Sequence, residues 1–231
     1  MAFRFPGGTL VAMKKIAVVL CGSGYLDGSE IREAVGVLWA LSQHSVSVQC
    51  FAPDAPQRDV VNCLTGQPVK SESRNQLVEA ARIARGQVKA LSGLRPADFD
   101  AVVLPGGFGA AKNLCDFAIK GSTGTVIPDL QSAIVGFFEA RKPIGAVCIA
   151  PAIVALALRG KGLELTLGAK GEAAQEIEKL GHKHRVCRAE EICVDVAHKV
   201  VSTPAYMYDH APLHEIFEGI RRLVSDLVAR V

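Results

Sequence analysis

At 231 residues, with 49% hydrophobic and 21% charged residues, the chain has globular usage and is long enough to bury most of its unfolded surface as a single domain. A net charge of +3, with 26 basic residues scattered along the chain, argues against a nucleic-acid partner, which requires a one-sided basic footprint. The longest apolar run, Ala146 to Leu158, is too short to span a membrane and contains Pro151; the seven cysteines, none in a Cys-x-x-Cys pair, suit a reducing cytoplasm better than a disulfide framework.

The first segment, residues 1–13, lacks a sustained apolar stretch and precedes a second plausible start at Met13-Lys14-Lys15; it is expected to be an extension outside the fold. Lys15 to Cys21 is a continuous β-branched apolar run, the mark of a strand covered on both faces. After a Gly-rich loop, Ile31, Ala34, Val35, Leu38 and Leu41 recur at helical spacing, with Asp27 or Ser29 available as the cap. The pattern repeats with a strand at 46–51, a helix at 76–85, a strand at 100–104, a short helix at 110–114, a helix at 129–140 and a strand at 143–147. An all-apolar helix at 149–158 follows, stopped by Gly160 and Gly162. Four short strands are expected near 163–167, 186–188, 192–194 and 199–202, with a helix at 172–180 between the first two. The last helix carries Leu213, Ile216, Phe217, Ile220, Leu223, Val224, Leu227 and Val228 on one face. The irregular segment 53–73 has the length of a lid or binding loop.

Alternating strands and helices predict an α/β fold, a doubly wound, mostly parallel sheet over residues 14–231. Ligands of such sheets bind at the carboxyl ends of the strands, which directs attention to three turns. These are Gly22 to Glu30, Pro105-Gly106-Gly107-Phe108-Gly109, and Cys148-Ile149-Ala150-Pro151. A thiol at a strand-to-helix turn faces backbone N–H groups and the positive end of the helix, so Cys148 is placed to act as a nucleophile. The Ile149 N–H and an N–H of the Gly106-Gly107 turn are its expected oxyanion donors. The competing reading makes Cys148 a small buried hydrophobe. Glu30, in the first turn of its helix, is either a proton-sharing partner of the thiol or a carboxylate that serves the helix dipole, and Glu33 shares the second reading.

Other candidates are weaker. Gly22-x-Gly24 lacks the third glycine of a dinucleotide fingerprint, since position 27 is Asp. The spacing of His182, His184, Cys187 and Cys193 matches no common zinc pattern, so no metal is expected. Cys21, Cys50, Cys63 and Cys115 read as packing residues, and Arg74 could hold an anionic substrate.

The three turns, taken with Phe51-Ala52-Pro53-Asp54, Glu72-Ser73-Arg74-Asn75, Ala81 to Gly86, Leu104 to Asn113 and Thr203-Pro204-Ala205-Tyr206-Met207, resemble the ThiJ/PfpI superfamily. Its fold is the flavodoxin-like, class I glutamine amidotransferase-like sheet with a Cys nucleophile elbow, and the motifs are most similar to the ElbB or sigma cross-reacting protein branch. The resemblance implies Cys148 as nucleophile and Glu30 as the carboxylate that meets it. It implies Gly107 and Ile149 as oxyanion donors, Gly106, Arg74 and Asn75 as substrate contacts, no cofactor, and a homodimer. The implied activity is a cofactor-free glyoxalase acting on a small aldehyde: glyoxal to glycolate, and methylglyoxal to lactate. The alternative is a redox-sensing or regulatory protein linked to isoprenoid biosynthesis. Position 149 is Ile where better-studied relatives have His, which puts amidotransferase and peptidase activity in doubt.

Overall fold

The computed structural model describes residues 13–231, so the expected extension lies outside the described residues except for Met13. In chain order the elements are β1 (Lys14–Val19), α1 (Ile31–Ser42), β2 (Val46–Ala52), β3 (Val61–Asn62), β4 (Gln67–Pro68), α2 (Gln76–Ile83), β5 (Val88–Ala90) and β6 (Ala101–Leu104). They continue as α3 (Ala110–Asn113), α4 (Phe117–Lys120), α5 (Pro128–Glu139), β7 (Ile144–Val147), α6 (Ala150–Ala157), β8 (Glu164–Leu165), α7 (Glu172–Lys179), β9 (Lys183–His184), β10 (Cys193–Asp195), β11 (Val200–Thr203) and α8 (Leu213–Ala229).

Seven of these strands form one sheet in the order β10-β11-β7-β6-β1-β2-β5. Every pairing is parallel except that of the edge strand β10 with β11. Strands β6 and β7 and the inner half of β1 are buried throughout, which is why the sequence shows them as unbroken apolar runs rather than alternations. One apolar core joins the sheet to the helices on its faces. The chain leaves β1 toward β2 and later returns to β6 on the other side, so the strand order reverses between β1 and β6. A reversal of this kind opens a crevice at the carboxyl edge. The turns after β1, β6 and β7 meet there.

Several expectations need correction. The strand expected at 186–188 does not form; β9 lies just before it and pairs with β8 in a separate parallel ribbon off the main sheet. Segment 53–73 is partly ordered by the antiparallel hairpin β3–β4. Of the face expected of helix α1, Ala34 and Leu41 are buried and Leu38 packs against the core, but Ile31 and Val35 are not. Glu33, Ala34, Gly36, Val37, Ala40 and Leu41 are buried, while Ile31, Val35 and Trp39 form an exposed stripe. Its cap is neither Asp27 nor Ser29 but Glu30, whose carboxylate accepts the Glu33 N–H. Asp27 accepts the Val61 N–H and Ser29 accepts the Cys21 N–H, so both are already engaged.

Candidate active site

Cys148 stands at the junction of β7 and α6 with φ +61°, a left-handed conformation that costs a residue with a Cβ about 1 kcal/mol or more. Its N–H donates to the Thr203 carbonyl at the end of β11, which fixes the turn to the neighbouring strand. That geometry lifts the thiol off the strand end and toward the crevice. The N–H groups of Gly107 and Ile149 lie near enough to the sulfur to favour its ionised form.

The group facing the thiol is Glu33. Its carboxyl is fully buried and faces the Cys148 side chain. Oε2 accepts the Gly106 N–H at 3.0 Å and Oε1 accepts the Tyr206 N–H at 3.2 Å. Burial, and after it the charge of Glu30, push the Glu33 carboxyl up to about 8 from an ordinary 4.5. Burial also raises the Cys148 thiol well above its ordinary value; an ionised Glu33 adds to that rise and the Gly107 and Ile149 N–H groups oppose it. Two acids pressed together in a dry site do not both ionise near neutrality, so the pair retains a shared proton.

The two glycines of the β6 turn are required by this contact. A Cβ on Gly106 would stand 2.5 Å from the Cys148 Cβ and 2.8 Å from Glu33 Oε2, and one on Gly107, at φ +108°, would stand 2.5 Å from the Glu30 nitrogen. Only a chain without side chains here can bring its N–H groups this close to both reacting side chains.

Glu30 and Cys148 both line a cavity of about 1230 Å³ whose wall includes Tyr25, Arg32, Cys63, Phe108 and Tyr206. Cys148 is 7% exposed, reachable by a small molecule through this cavity but not open to solvent. Among the described residues no histidine lines it.

The expectation that Glu30 meets the thiol is corrected on the geometry. Glu30 Oε2 turns back to the Glu33 N–H at 2.6 Å as the cap of α1, and Glu33, three residues on and facing inward, reaches Cys148. The α1 face read from the sequence put position 33 on the wrong side. The signal that finds Glu33 is its place at i with Val37 and Ala40 at i+4 and i+7, a carboxylate on the buried stripe of an amphipathic helix.

Arg74 and Asn75 do not line the Cys148 cavity. Arg74 pairs with Glu72 at 2.8 Å, and Asn75 caps α2 through the Leu77 and Val78 N–H groups while donating to Asp54. His182 and His184 are used inside the fold, where their ring nitrogens accept the Leu163 and Leu167 N–H groups.

Comparison with known proteins places these residues in a family. No family model matches the chain. Over 223 residues, 93% of this chain and 82% of the relative, it is 45% identical to the human (Homo sapiens) glutamine amidotransferase-like class 1 domain-containing protein 3, mitochondrial. The chain belongs to the glutamine amidotransferase-like class 1 family. Within that family it is 42% identical to the rat (Rattus norvegicus) ES1 protein homolog, mitochondrial, over 93% of this chain and 83% of the relative. A crystal structure of an isoprenoid biosynthesis protein with amidotransferase-like domain from Ehrlichia chaffeensis superposes with TM-score 0.87 at 38% identity, covering 94% of this chain and 99% of that one. The ThiJ/PfpI and ElbB-type resemblance drawn from the motifs is therefore correct, as is the fold it implied. Glyoxalase III from Candida albicans shares the fold with TM-score 0.61 at 14% identity, covering 94% of this chain and 97% of that one.

The expectation of a cytoplasmic location is overturned. Both curated relatives of this family are named mitochondrial, a compartment that also keeps buried thiols free, so cysteine usage could not separate the two.

Proposed function

We propose that this family member is a cofactor-free, glyoxalase-type thiol enzyme that turns glyoxal into glycolate and, by the same steps, methylglyoxal into lactate. The observation that carries the reading is the buried contact of Cys148 with a proton-retaining Glu33, beneath two backbone N–H groups and open to a cavity.

In the reacting form the one proton left on the pair passes from the Cys148 sulfur to Glu33, and the sulfur adds to an aldehyde carbon and forms the S–C bond of a hemithioacetal. The Gly107 and Ile149 N–H groups stabilise the oxyanion as it forms, and Glu33 protonates it. The resulting Glu33 carboxylate removes the carbon-bound proton, and the electron pair moves to the adjacent carbonyl to give an enediol. Reprotonation of that neighbouring carbon leaves a hydroxyacyl thioester on Cys148. Water then breaks the C–S bond, releases the hydroxy acid and restores the pair. One water is consumed and the oxidation of one carbon balances the reduction of its neighbour, so no external oxidant or reductant enters. A thiol hydrolase acting on amides ordinarily uses a histidine beside its thiol, and here the buried Glu33 carboxyl stands in that place.

The deciding assay is hydroxy-acid formation from glyoxal, methylglyoxal and the bulkier phenylglyoxal without added cofactor and after chelation. Turnover by the native protein that is lost in both Cys148→Ala and Glu33→Gln is the expected result. A native protein inert toward all three aldehydes would sink the proposal.

A further inference from the structure

Glu30 lines the same cavity as Cys148 but does not reach the thiol, and its atoms are committed elsewhere. Its carboxylate caps α1 at the Glu33 N–H (2.6 Å), and its own N–H donates to the Gly106 carbonyl at 3.0 Å. The Gly106 N–H in turn holds Glu33 Oε2 at 3.0 Å, and the next residue, Gly107, presents its N–H to the Cys148 sulfur. Glu30 thus touches, through one residue each, both the carboxyl partner and one oxyanion donor of the thiol. A cap is ordinarily Ser, Thr, Asp or Asn, whose shorter side chains make the same bond. A longer carboxylate at this position puts a negative charge beside a second, fully buried carboxyl, which a serine cap would not do.

We infer that Glu30 is a positioning residue whose charge, fixed against the start of α1, makes Glu33 hold its proton beside Cys148. The inference rests on the reading of Cys148 and Glu33 as the reacting pair, and it assigns Glu30 no contact with substrate. The mechanism proposed above uses a protonated Glu33, and like-charge repulsion adds to burial in keeping it so. The Glu30 charge ranks after burial among the causes that raise Glu33. The other titratable group facing Glu33 is Cys148 from the β7–α6 turn; Tyr206, from the segment after β11, meets Glu33 through its backbone N–H, while its hydroxyl accepts from Arg32 of α1. The β6 turn, Gly106-Gly107-Phe108, brings no titratable group to it. Burial raises Glu30 as well, and the Glu33 N–H that it accepts and the Arg32 charge oppose that rise and favour the ionised cap.

The test is a carbon-13 carboxyl NMR titration of Glu33, assigned by its disappearance in Glu33→Gln, and it needs no substrate. Glu30→Gln retains an acceptor for the Glu33 N–H and removes the charge, and the Glu33 midpoint is expected to fall by about one pH unit. Glu30→Asp, which keeps charge and cap, is expected to restore it. In the native protein the Glu30 signal should show a second inflection at the Glu33 midpoint, a readout that stands even if a variant fails to fold. If the native coupling is absent, or if Glu30→Gln leaves the Glu33 midpoint in place, the inference is overturned; an equal fall in Gln and Asp variants also overturns it, because geometry and not charge would then be responsible. Where aldehyde turnover is found, the alkaline limb of kcat/KM moves down with the Glu33 midpoint in Glu30→Gln. A protein that shows the coupling but turns over no aldehyde would keep the inference and lose the glyoxalase reading.

Discussion

Cys21 and Cys148 are both buried cysteines at the carboxyl ends of central strands, yet the structure treats them in opposite ways. Cys21 follows β1, is wholly sealed, donates its N–H to Ser29 Oγ at 2.9 Å and has its sulfur 3.6 Å from the same oxygen. Burial pushes its thiol up to about 12, and it does not line the Cys148 cavity. Cys148 follows β7 with φ +61°, faces Glu33 and two N–H groups, and opens onto the cavity. Position after a strand therefore does not make a nucleophile. What distinguishes Cys148 is a strained turn that turns its thiol out of the core and a partner that can take or give the proton.

Truncating both thiols tests this difference most strongly. Cys148→Ala is expected to lower aldehyde turnover by about a thousandfold or more while leaving the melting temperature within a few degrees, since the change is small and lies at a turn. Cys21→Ala is expected to do the reverse: turnover within about twofold, and about 1 kcal/mol of stability lost to the gap left behind the sheet. Equal losses of activity in the two variants, measured beside their denaturation midpoints, would show that packing and not chemistry distinguishes them.

A smaller effect probes the same contrast through pH. Folded Glu33 binds its proton more tightly than an unfolded carboxyl does, so its contribution to stability is present below about 4.5 and is lost as pH rises toward about 8. Glu33→Gln removes that loss. The variant should therefore be more stable than the native protein at pH 8, by on the order of 4 kcal/mol, and the advantage should vanish near pH 4.5. Paired urea titrations at the two pH values measure it. A variant that is less stable than the native protein at both would mean that Glu33 is held as a welcome carboxylate rather than a strained one.

Much of this architecture was legible in the sequence because parallel central strands leave an unmistakable trace. The runs at 15–21, 101–104 and 143–147 are apolar without alternation, as strands covered on both faces must be, and the turns that follow them carry the glycines that close approach requires. Edge elements left less. Strand β5 is three residues long and half-exposed, and the β8–β9 ribbon pairs too few residues to impose a pattern. At the candidate site, Cys148 stands out in the sequence because strand, turn and helix are local. Glu33 is hard to read because α1 is apolar on more than one side: Ile31 and Val35, which read as core, are exposed, while Glu33 lies on the buried side with Val37 and Ala40. Residues brought together by the fold, such as Tyr206 and Gly106 around that carboxyl, have no local signature at all.

The smallest predicted effect concerns a motif that contributes to the family resemblance in the sequence yet lies away from the thiol. Arg74 and Asn75 look like substrate-binding residues in the sequence, but Asn75 spends its side-chain oxygen on two N–H groups at the start of α2 and its amide on Asp54, while Arg74 is held by Glu72. Asn75→Ala should therefore cost about 1 kcal/mol, the worth of a helix cap, and leave KM for the aldehyde unchanged. Arg74→Ala, which breaks an ion pair in which both partners are more than a third exposed, should cost still less. The informative quantity is the ratio of the two effects. Removing the cap of α2 lowers the denaturation midpoint and spares KM, whereas removing a side chain that binds substrate in the cavity raises KM and spares the midpoint. A several-fold rise in KM for either variant would mean that the loop before α2 closes over the cavity during turnover, and would return these two residues to the site from which the geometry excludes them.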